Sequence, residues 1–562
     1  MLQTIIAALA ILLMQPLSKP KLLTYSAKLN MTNIPLNQTN LLNRLVKDYV
    51  LGEPTAASFA NMPHAIDGYK TLMANKVFSQ EKRNLLVNNL LNQYRQAGIN
   101  LHDDDKVLVN IKNLAKPNTF TVTTGHQLVW AGGPLFVAYK ILTGIKLALE
   151  LQNQFPDKHF VPLFWLASED HDFEEISELF LFNQTYKWQY QSNNQPVGTL
   201  TIKNLADILT EITPTLAKNT RGEWYAALLN KCYSTEKTLS QASIQWFHDI
   251  FQSYGLVVLE PNQRSFKQLF VENFQEDIFA AATGNAMQAT NQQLEAAGYK
   301  PHLNHRVCNT FFIHPTHGRL LIKPHENTYQ LGNSGIQYSS QELKDLLVQT
   351  PEAFSPNVAL RPVYQETILP NLAYIGGPAE VAYWLQLKGV FEAYQVQMPT
   401  LVLRFMGLIV GPTLQQKIEK TGLALQDFMS DEAYLKQQVL AIDQSARLNQ
   451  MMQQVLANMQ ELLNAGKDLD SNLGKELLAA KLSLKDFFDV KRKEIAKLLV
   501  QKKEAEIAKA LKLRQRIYPR GTFQERIETL MQHECQNNTN LSENLLQQIS
   551  VWQQNYLGII EV

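Results

Sequence analysis

Two apolar runs constrain this chain most, because each ends in a polar cluster and each is followed by a helical or acidic segment. Phe120-Thr121-Val122-Thr123 is short, β-branched and aromatic, and it runs into Thr124-Gly125-His126-Gln127. Gly132-Gly133-Pro134 then precedes an apolar helical stretch over residues 135–149. His159–Ala167 (HFVPLFWLA) reads as a buried strand, and Ser168-Glu169-Asp170-His171-Asp172 stands at its carboxyl end. A further strand is expected at residues 255–260 (GLVVLE). Strands alternating with helices predict a parallel α/β sheet. In such sheets ligands bind beyond the carboxyl ends of the strands, where both polar clusters fall.

The flanks read differently. Residues 41–98 carry a helical pattern, with Leu85, Leu86, Leu90, Leu91 and Tyr94 at helical spacing and Gly98 as the expected C-cap. Alternating apolar and polar residues around 300–325 predict a hairpin-like insertion. Beyond Arg404 the chain changes again. Leu448, Met452, Val455, Met459 and Leu462 recur in steps of four and three, which is a heptad seam. A helical-hairpin turn is expected over residues 469–474, flanked by Gly466 and Gly474, with the partner helix over about residues 475–516. The blocks KRKEIAK and KKEAEIAK in that helix read as a solvated coiled-coil face rather than a nucleic-acid site.

Composition narrows the function classes. The 562 residues hold 52 Lys+Arg against 51 Asp+Glu, so no global basic field for nucleic acid exists. A hydrophobic share of 45% excludes a disordered chain. Cys232, Cys308 and Cys535 are sparse and far apart, which fits a reducing, cytoplasmic setting. The apolar run over residues 5–14 has no preceding basic residue and no clean cleavage site. It is also shorter than the roughly 20 residues that span a bilayer. Residues 1–30 are therefore expected to be an extension outside the fold, with Met31 as the working start and no membrane association.

Five groups of residues could carry chemistry. Gly125 permits a positive φ or a close backbone approach, and His126 can contact a phosphoryl oxygen or move a proton; a simple capping turn competes equally. Glu169, Asp170, His171 and Asp172 place three carboxylates and an imidazole beside one apolar strand. Such a cluster is costly unless it is paired or faces a cleft. It could hold an amine, orient the imidazole or bind Mg²⁺, whereas an N-cap cluster would not require His171. Asn357, Arg361 and Gln365 are spaced by four and would share one helix face, although Pro362 disfavours regular helix there. An Arg flanked by two amides suits a carboxylate or phosphate. Gly376 and Gly377 open another helix, with Glu380 in its first turn and Tyr383 beyond. Last, His302, His305, Cys308, His314 and His317 offer enough zinc ligand types. In an alternating strand, however, i and i+3 point to opposite faces, so no metal is expected.

At TGHQ, FWLASEDHDFEE, SPNVALRPVYQ, YIGGPAEVAYW and YPRGTFQER the chain resembles the bacillithiol biosynthesis cysteine-adding enzymes. The motifs run in family order and the resemblance covers roughly residues 31–562, leaving 1–30 outside it. It implies an α/β fold with a Rossmann-like parallel-sheet core, inserted connecting segments and a C-terminal α-helical coiled-coil hairpin used for homodimerisation. The expected division is a catalytic core over 31–410 with insertions at about 185–250 and 262–350. A hairpin over 420–516 follows, and then a segment over 517–562 that packs back on the core. The implied reaction joins the carboxyl of cysteine to the amine of glucosaminyl-malate. The synthetase-like core suggests ATP as the activating co-substrate, on fold analogy alone. By motif, the resemblance places Asp170, His171, Asp172 and His126 in catalysis. It places Glu169, Gln127, Asn357, Arg361, Gln365, Tyr383 and Glu380 in substrate binding, and Gly125, Gly376 and Gly377 against the cofactor. His126 stands where the family commonly has Gln. Two other readings remain: a nucleotide-dependent ligase for another amine, and an inactive coiled-coil scaffold.

Overall fold

The computed structural model describes residues 30–233, 236–441 and 445–562, so the expected extension lies, but for Asn30, outside the described residues. The chain folds into two compact units. The first comprises residues 41–407 and 525–560 with the described residues up to 37; the second is essentially residues 408–524.

The centre of the first unit is a five-stranded parallel sheet. Its strands are β1 (Thr119–Gln127), β2 (His159–Ala167), β3 (Val257–Leu259), β4 (Asn371–Gly376) and β5 (Thr400–Leu403), in the spatial order β5-β4-β1-β2-β3. β2 reads as a continuous apolar run because both faces of a parallel sheet are covered. β1 is rich in threonine yet buried, and β4 explains how. Thr121 and Thr123 donate to Asn371 Oδ1 at 3.1 and 2.8 Å, and Thr124 donates to the Ile375 carbonyl at 2.8 Å. Buried hydroxyls are tolerated when each finds such a partner.

The chain builds β1, β2 and β3 outward in one direction and later returns to place β4 on the other side of β1. The strand order therefore reverses between β1 and β4, and a crevice opens beyond their carboxyl ends. Helix α1 (Leu135–Gln154) follows β1, α2 (Arg361–Ile368) precedes β4, and α3 (Pro378–Gln386) follows it. The edge strand β3 is covered by the helix Gln80–Gln96, whose Tyr94 hydroxyl accepts from Val258 N at 2.9 Å and whose Gln93 accepts from Glu260 N at 3.0 Å. Such cover protects a sheet edge from stray pairing. Gly98 closes that helix at φ +79°, with Ile99 N bonded to the Tyr94 carbonyl at 2.9 Å, the C-cap that its position anticipates.

The insertion between β3 and β4 carries a second, antiparallel sheet of five strands. Its hairpin, Thr310–His314 with Gly318–His325, lies where the alternating pattern places it. The C-terminal residues of this unit include the strand Tyr556–Glu561, which lies beside Asn30–Pro35.

In the second unit, α4 (Ser445–Leu469) and α5 (Ser471–Lys502) form a helical hairpin. The turn is tighter than expected, a single residue: Asp470 accepts from Asn472 N and Leu473 N at 2.8 and 3.0 Å. Gly466 and Gly474 are not turn residues. A Cβ on Gly466 would overlap Leu477 Cδ1, and one on Gly474 would lie 2.6 Å from Lys467 Cγ, so both allow the helices to approach closely. The heptad period holds, but its face is split. Met452, Met459 and Leu463 turn inward, whereas Leu448, Val455 and Leu462 are 45%, 43% and 52% exposed.

Candidate active site

β1 continues past the expected turn. Gly125, His126 and Gln127 stay in strand, paired with Trp165, Leu166 and Ala167 of β2. Gly125 has no positive φ; it is needed because a Cβ there would lie 3.1 Å from both Cβ and O of Trp165. The turn glycines are instead Gly132 and Gly133, at φ +80° and +68°.

A cavity of about 700 Å³ opens where the strand order reverses. Such volumes suit a small organic ligand. Its walls include Gly125, His126, Gln127, Glu169, Asp170, His171, Asn357, Arg361, Gly377, Glu380 and Tyr383, all singled out from sequence. Asp172, Gln365 and Gly376 are not among the lining residues. Asp172 is exposed and caps the short helix Phe173–Ile176, accepting from Glu175 N at 3.2 Å. Gln365 is fully buried behind Arg361, and Gly376 ends β4 where a Cβ would lie 3.1 Å from Glu380 Cβ.

At one end of the cavity the acidic cluster is organised by two cations that no sequence pattern indicated. Lys267 is fully buried, paired with Glu169, and donates to the Phe354 carbonyl at 2.8 Å. Arg319 is anchored by Ser355 Oγ at 3.0 Å and the Pro356 carbonyl at 2.9 Å, and it lies 4.0 Å over the Phe311 ring. Its Nη1 reaches Asp170 Oδ1 at 3.3 Å, and His171 Nδ1 lies 3.4 Å from the same oxygen. Burial alone would raise the Asp170 carboxyl, but the hydrogen bond to His171 and the charge of Arg319 hold it below its ordinary range. Asp170 is therefore an ionised carboxylate facing the cavity, with an imidazole beside it.

At the other end, α3 sets the geometry. Glu380 accepts from Gly377 N at 2.9 Å and from the Tyr374 hydroxyl at 2.6 Å, and it pairs with Lys140. Lys140 also donates to the Gly125 carbonyl at 2.7 Å. A lysine inside the apolar stretch LFVAYKILTG was the one signal that could have marked it. Burial would raise the Glu380 carboxyl, but Lys140 together with the hydrogen bonds from the Tyr374 hydroxyl and Gly377 N lowers it. His126 meets the Phe136 ring edge-on at 4.9 Å. Burial and then Lys140 push its pKa down to about 3, so the ring is neutral.

α2 supplies Arg361 but not as one shared face. The helix starts at Arg361, so Pro362 falls in its first turn, where proline is accommodated. Asn357 precedes the helix and is spent locally. It accepts from Ala359 N and Leu360 N at 2.8 and 3.1 Å and donates to Asn309 Oδ1 at 2.7 Å. Arg361 Nη1 donates to Gln365 Oε1 at 3.1 Å and Nη2 to the Tyr383 hydroxyl at 3.5 Å. Gln365 in turn donates to Glu366 at 2.9 Å, and Glu366 meets the buried Lys76 at 3.4 Å. A chain of buried polar groups thus holds Arg361 against the cavity wall.

The histidine-rich segment disperses. Cys308 is buried against Asp277 at 3.6 Å, and His302 faces the cavity. His314 and His317 do meet, Nδ1 to Nδ1 at 3.1 Å, because a turn between the strands brings i and i+3 together. Among the described residues no group of three or more His, Cys, Asp or Glu could hold a metal ion. No helix among them is long and apolar enough to cross a membrane.

Comparison with known proteins agrees with this architecture. Residues 29–405 match "Bacillithiol biosynthesis BshC, N-terminal Rossmann-like domain", and residues 407–560 match "Bacillithiol biosynthesis BshC, C-terminal coiled-coil domain". A relative from Cytophaga hutchinsonii, named "Putative cysteine ligase BshC", is 30% identical over 519 residues, covering 92% of this chain and 96% of its own. Relatives of the same name from Flavobacterium johnsoniae and Christiangramia forsetii are 29% and 28% identical, covering 93% and 92% of this chain and 98% and 97% of theirs.

Proposed function

Since this chain belongs to the bacillithiol biosynthesis BshC family, we propose that it is a cysteine ligase, joining the cysteine carboxyl to the amine of glucosaminyl-malate. The observation that carries the reading is the cavity at the strand-order reversal, with an ionised Asp170 and His171 at one end and Arg361 and Lys140 at the other. Forming an amide from a free carboxylate is uphill in water and requires an activated acyl group. A nucleoside triphosphate would supply that activation. The cationic end, where Lys140 lines the wall beside the neutral His126 ring, suits its phosphates: the lysine in charge and the imidazole as an N–H donor.

Within this reading Asp170 holds the attacking amine by a charge-assisted hydrogen bond, and Arg319 keeps the carboxylate ionised and aimed. His171 accepts the proton that the amine loses as the new C–N bond forms, while the bond from the acyl carbon to the activating phosphate oxygen breaks and the phosphate-bearing fragment of the nucleotide leaves with the electron pair. Arg361 takes a carboxylate, which we assign to the malyl group. Its fork is held by Gln365 and Tyr383, which limits the cost of ordering it. Asp172 serves the local helix, so of the two aspartates Asp170 carries the role.

We further propose that the protein is a cytoplasmic homodimer. The exposed row Leu448, Met451, Val455 and Leu462 on α4 is apolar, and Leu478 and Leu482 on α5 are exposed as well. Exposed stripes of this kind mark association surfaces.

The test is a reconstitution with purified protein, cysteine and glucosaminyl-malate, with and without ATP, read by mass spectrometry. The expected result is a cysteinyl amide formed only with ATP. Product without nucleotide would reject ATP as the activating group. No product with glucosaminyl-malate, but amide formed on another amine in a substrate panel, would reject the substrate assignment.

A further inference from the structure

Four side chains converge on one aromatic ring at the cationic end of the cavity. His126 meets Phe136 edge-on at 4.9 Å, while the Lys140, Arg404 and Arg526 heads lie 5.9, 5.5 and 5.9 Å from its centroid. Two of the three cations are matched. Lys140 pairs with Glu380, and Arg404 grips Glu525 through two bonds, at 2.9 and 2.5 Å. Arg526 is different. It is exposed, it lines the cavity, and no hydrogen bond or ion pair joins its side chain to another described residue. The His126 ring also lacks a hydrogen-bond partner among the described residues, and it lines the same wall.

The position of Arg526 is fixed by its neighbours rather than by its own contacts. Glu525 is buried beneath Arg404, and it also accepts from Gly407 N at 3.2 Å. Two residues on, the Glu528 carbonyl accepts from Leu135 N at 2.7 Å, and Thr529 bridges to Pro134. This clamps the segment onto the start of α1, which bears Phe136. The end of the YPRGTFQER motif thus delivers a guanidinium to the cavity wall with its fork unused.

Gathering like charges in a confined space is unfavourable without a counter-ion. A guanidinium fork beside a neutral imidazole, which can donate one N–H, complements a group with several anionic oxygens. We propose that Arg526 and His126, backed by Lys140, form an anion seat that takes a terminal phosphate or carboxylate group of a substrate. The seat rests on the ligase reading only for the identity of that substrate; the recognition chemistry is independent of it.

Calorimetry on the full-length protein at fixed ionic strength tests this, with pyrophosphate, ATP and L-malate as separate probes. Wild type is compared with Arg526→Gln and Arg526→Lys, and thermal unfolding checks that both variants fold. The expected result is saturable binding of at least one probe, weakened about tenfold to a hundredfold in Arg526→Gln and partly recovered in Arg526→Lys. Weakening confined to pyrophosphate and ATP identifies a phosphate seat; weakening confined to malate identifies a carboxylate seat. Equal affinity of wild type and Arg526→Gln for every probe, or no saturable binding to wild type, would overturn the proposal. Product formation measured in parallel separates the two readings. Unchanged anion binding in Arg526→Gln with normal wild-type product removes the seat and keeps the ligase. Lost anion binding with no product from wild type does the reverse.

Discussion

Asp170 and His171 share one oxygen contact, and Arg319 meets both. Removing either member should therefore stop the chemistry without unfolding the protein, because both are partly exposed at the cavity. Asp170→Asn and His171→Ala are expected to abolish the thiol product while thermal unfolding stays within a few degrees of wild type. Normal product from either purified variant would reject the assigned roles. Two other histidines carry a pH signature. His126 is lowered to about 3, and His64, bonded to the Tyr69 hydroxyl and the Val551 carbonyl, is lowered to about 4, both chiefly by burial. The unfolded chain protonates these rings near the ordinary 6.5, so it binds protons that the folded chain does not. Stability should thus fall as pH drops from about 6.5 toward 4, by at most about 1.4 kcal/mol per pH unit for each ring. His126→Gln should flatten part of that slope. Melting curves between pH 7 and pH 5 that run parallel for variant and wild type would count against it.

At the scale of elements, buried ion pairs tie segments that are distant in the chain. Arg404, just after β5, and Glu525 are 2% and 1% exposed at the side chain. Breaking such a pair leaves a buried charge unmatched, so Glu525→Gln is expected to cost about 3–5 kcal/mol. Replacing both partners by apolar residues, Arg404→Met with Glu525→Leu, should recover much of that loss. A double variant no more stable than the single one would show that the charges themselves are required. How much of this was legible differs by element. β2 was readable to the residue, because a strand covered on both faces must be apolar throughout. β1 was read too short, because Thr124 finds its hydroxyl's partner on β4 while Gly125, His126 and Gln127 find their strand partners on β2, and neither is visible in the local sequence. The supposed shared face of Asn357, Arg361 and Gln365 failed for a related reason: a spacing of four implies one face only inside a helix, and this helix begins at Arg361.

At the scale of the whole molecule, the exposed apolar row on the hairpin is the feature with the largest consequence. Leu462→Glu combined with Leu482→Glu should convert the expected dimer to monomer in sedimentation velocity, with helical content unchanged. Wild type that sediments as a monomer at micromolar concentration would reject the dimer. The amino-acid sequence by itself determined the class of the fold, the heptad period and the polar clusters at the strand ends, because periodicity and burial are local properties of a chain. Tertiary structure decided which cations complete the site. Lys267, Arg319 and Arg404 come from segments remote from the acidic and glycine motifs, and nothing nearby in the chain marks them; Arg526 ends a motif visible in the sequence, but only the fold brings it to the cavity. It also decided which apolar row of α4 faces α5 and which faces outward. The reason is common to both: a charge or an apolar side chain acquires its role from its neighbour, and the neighbour here is supplied by a distant part of the chain or by a facing helix.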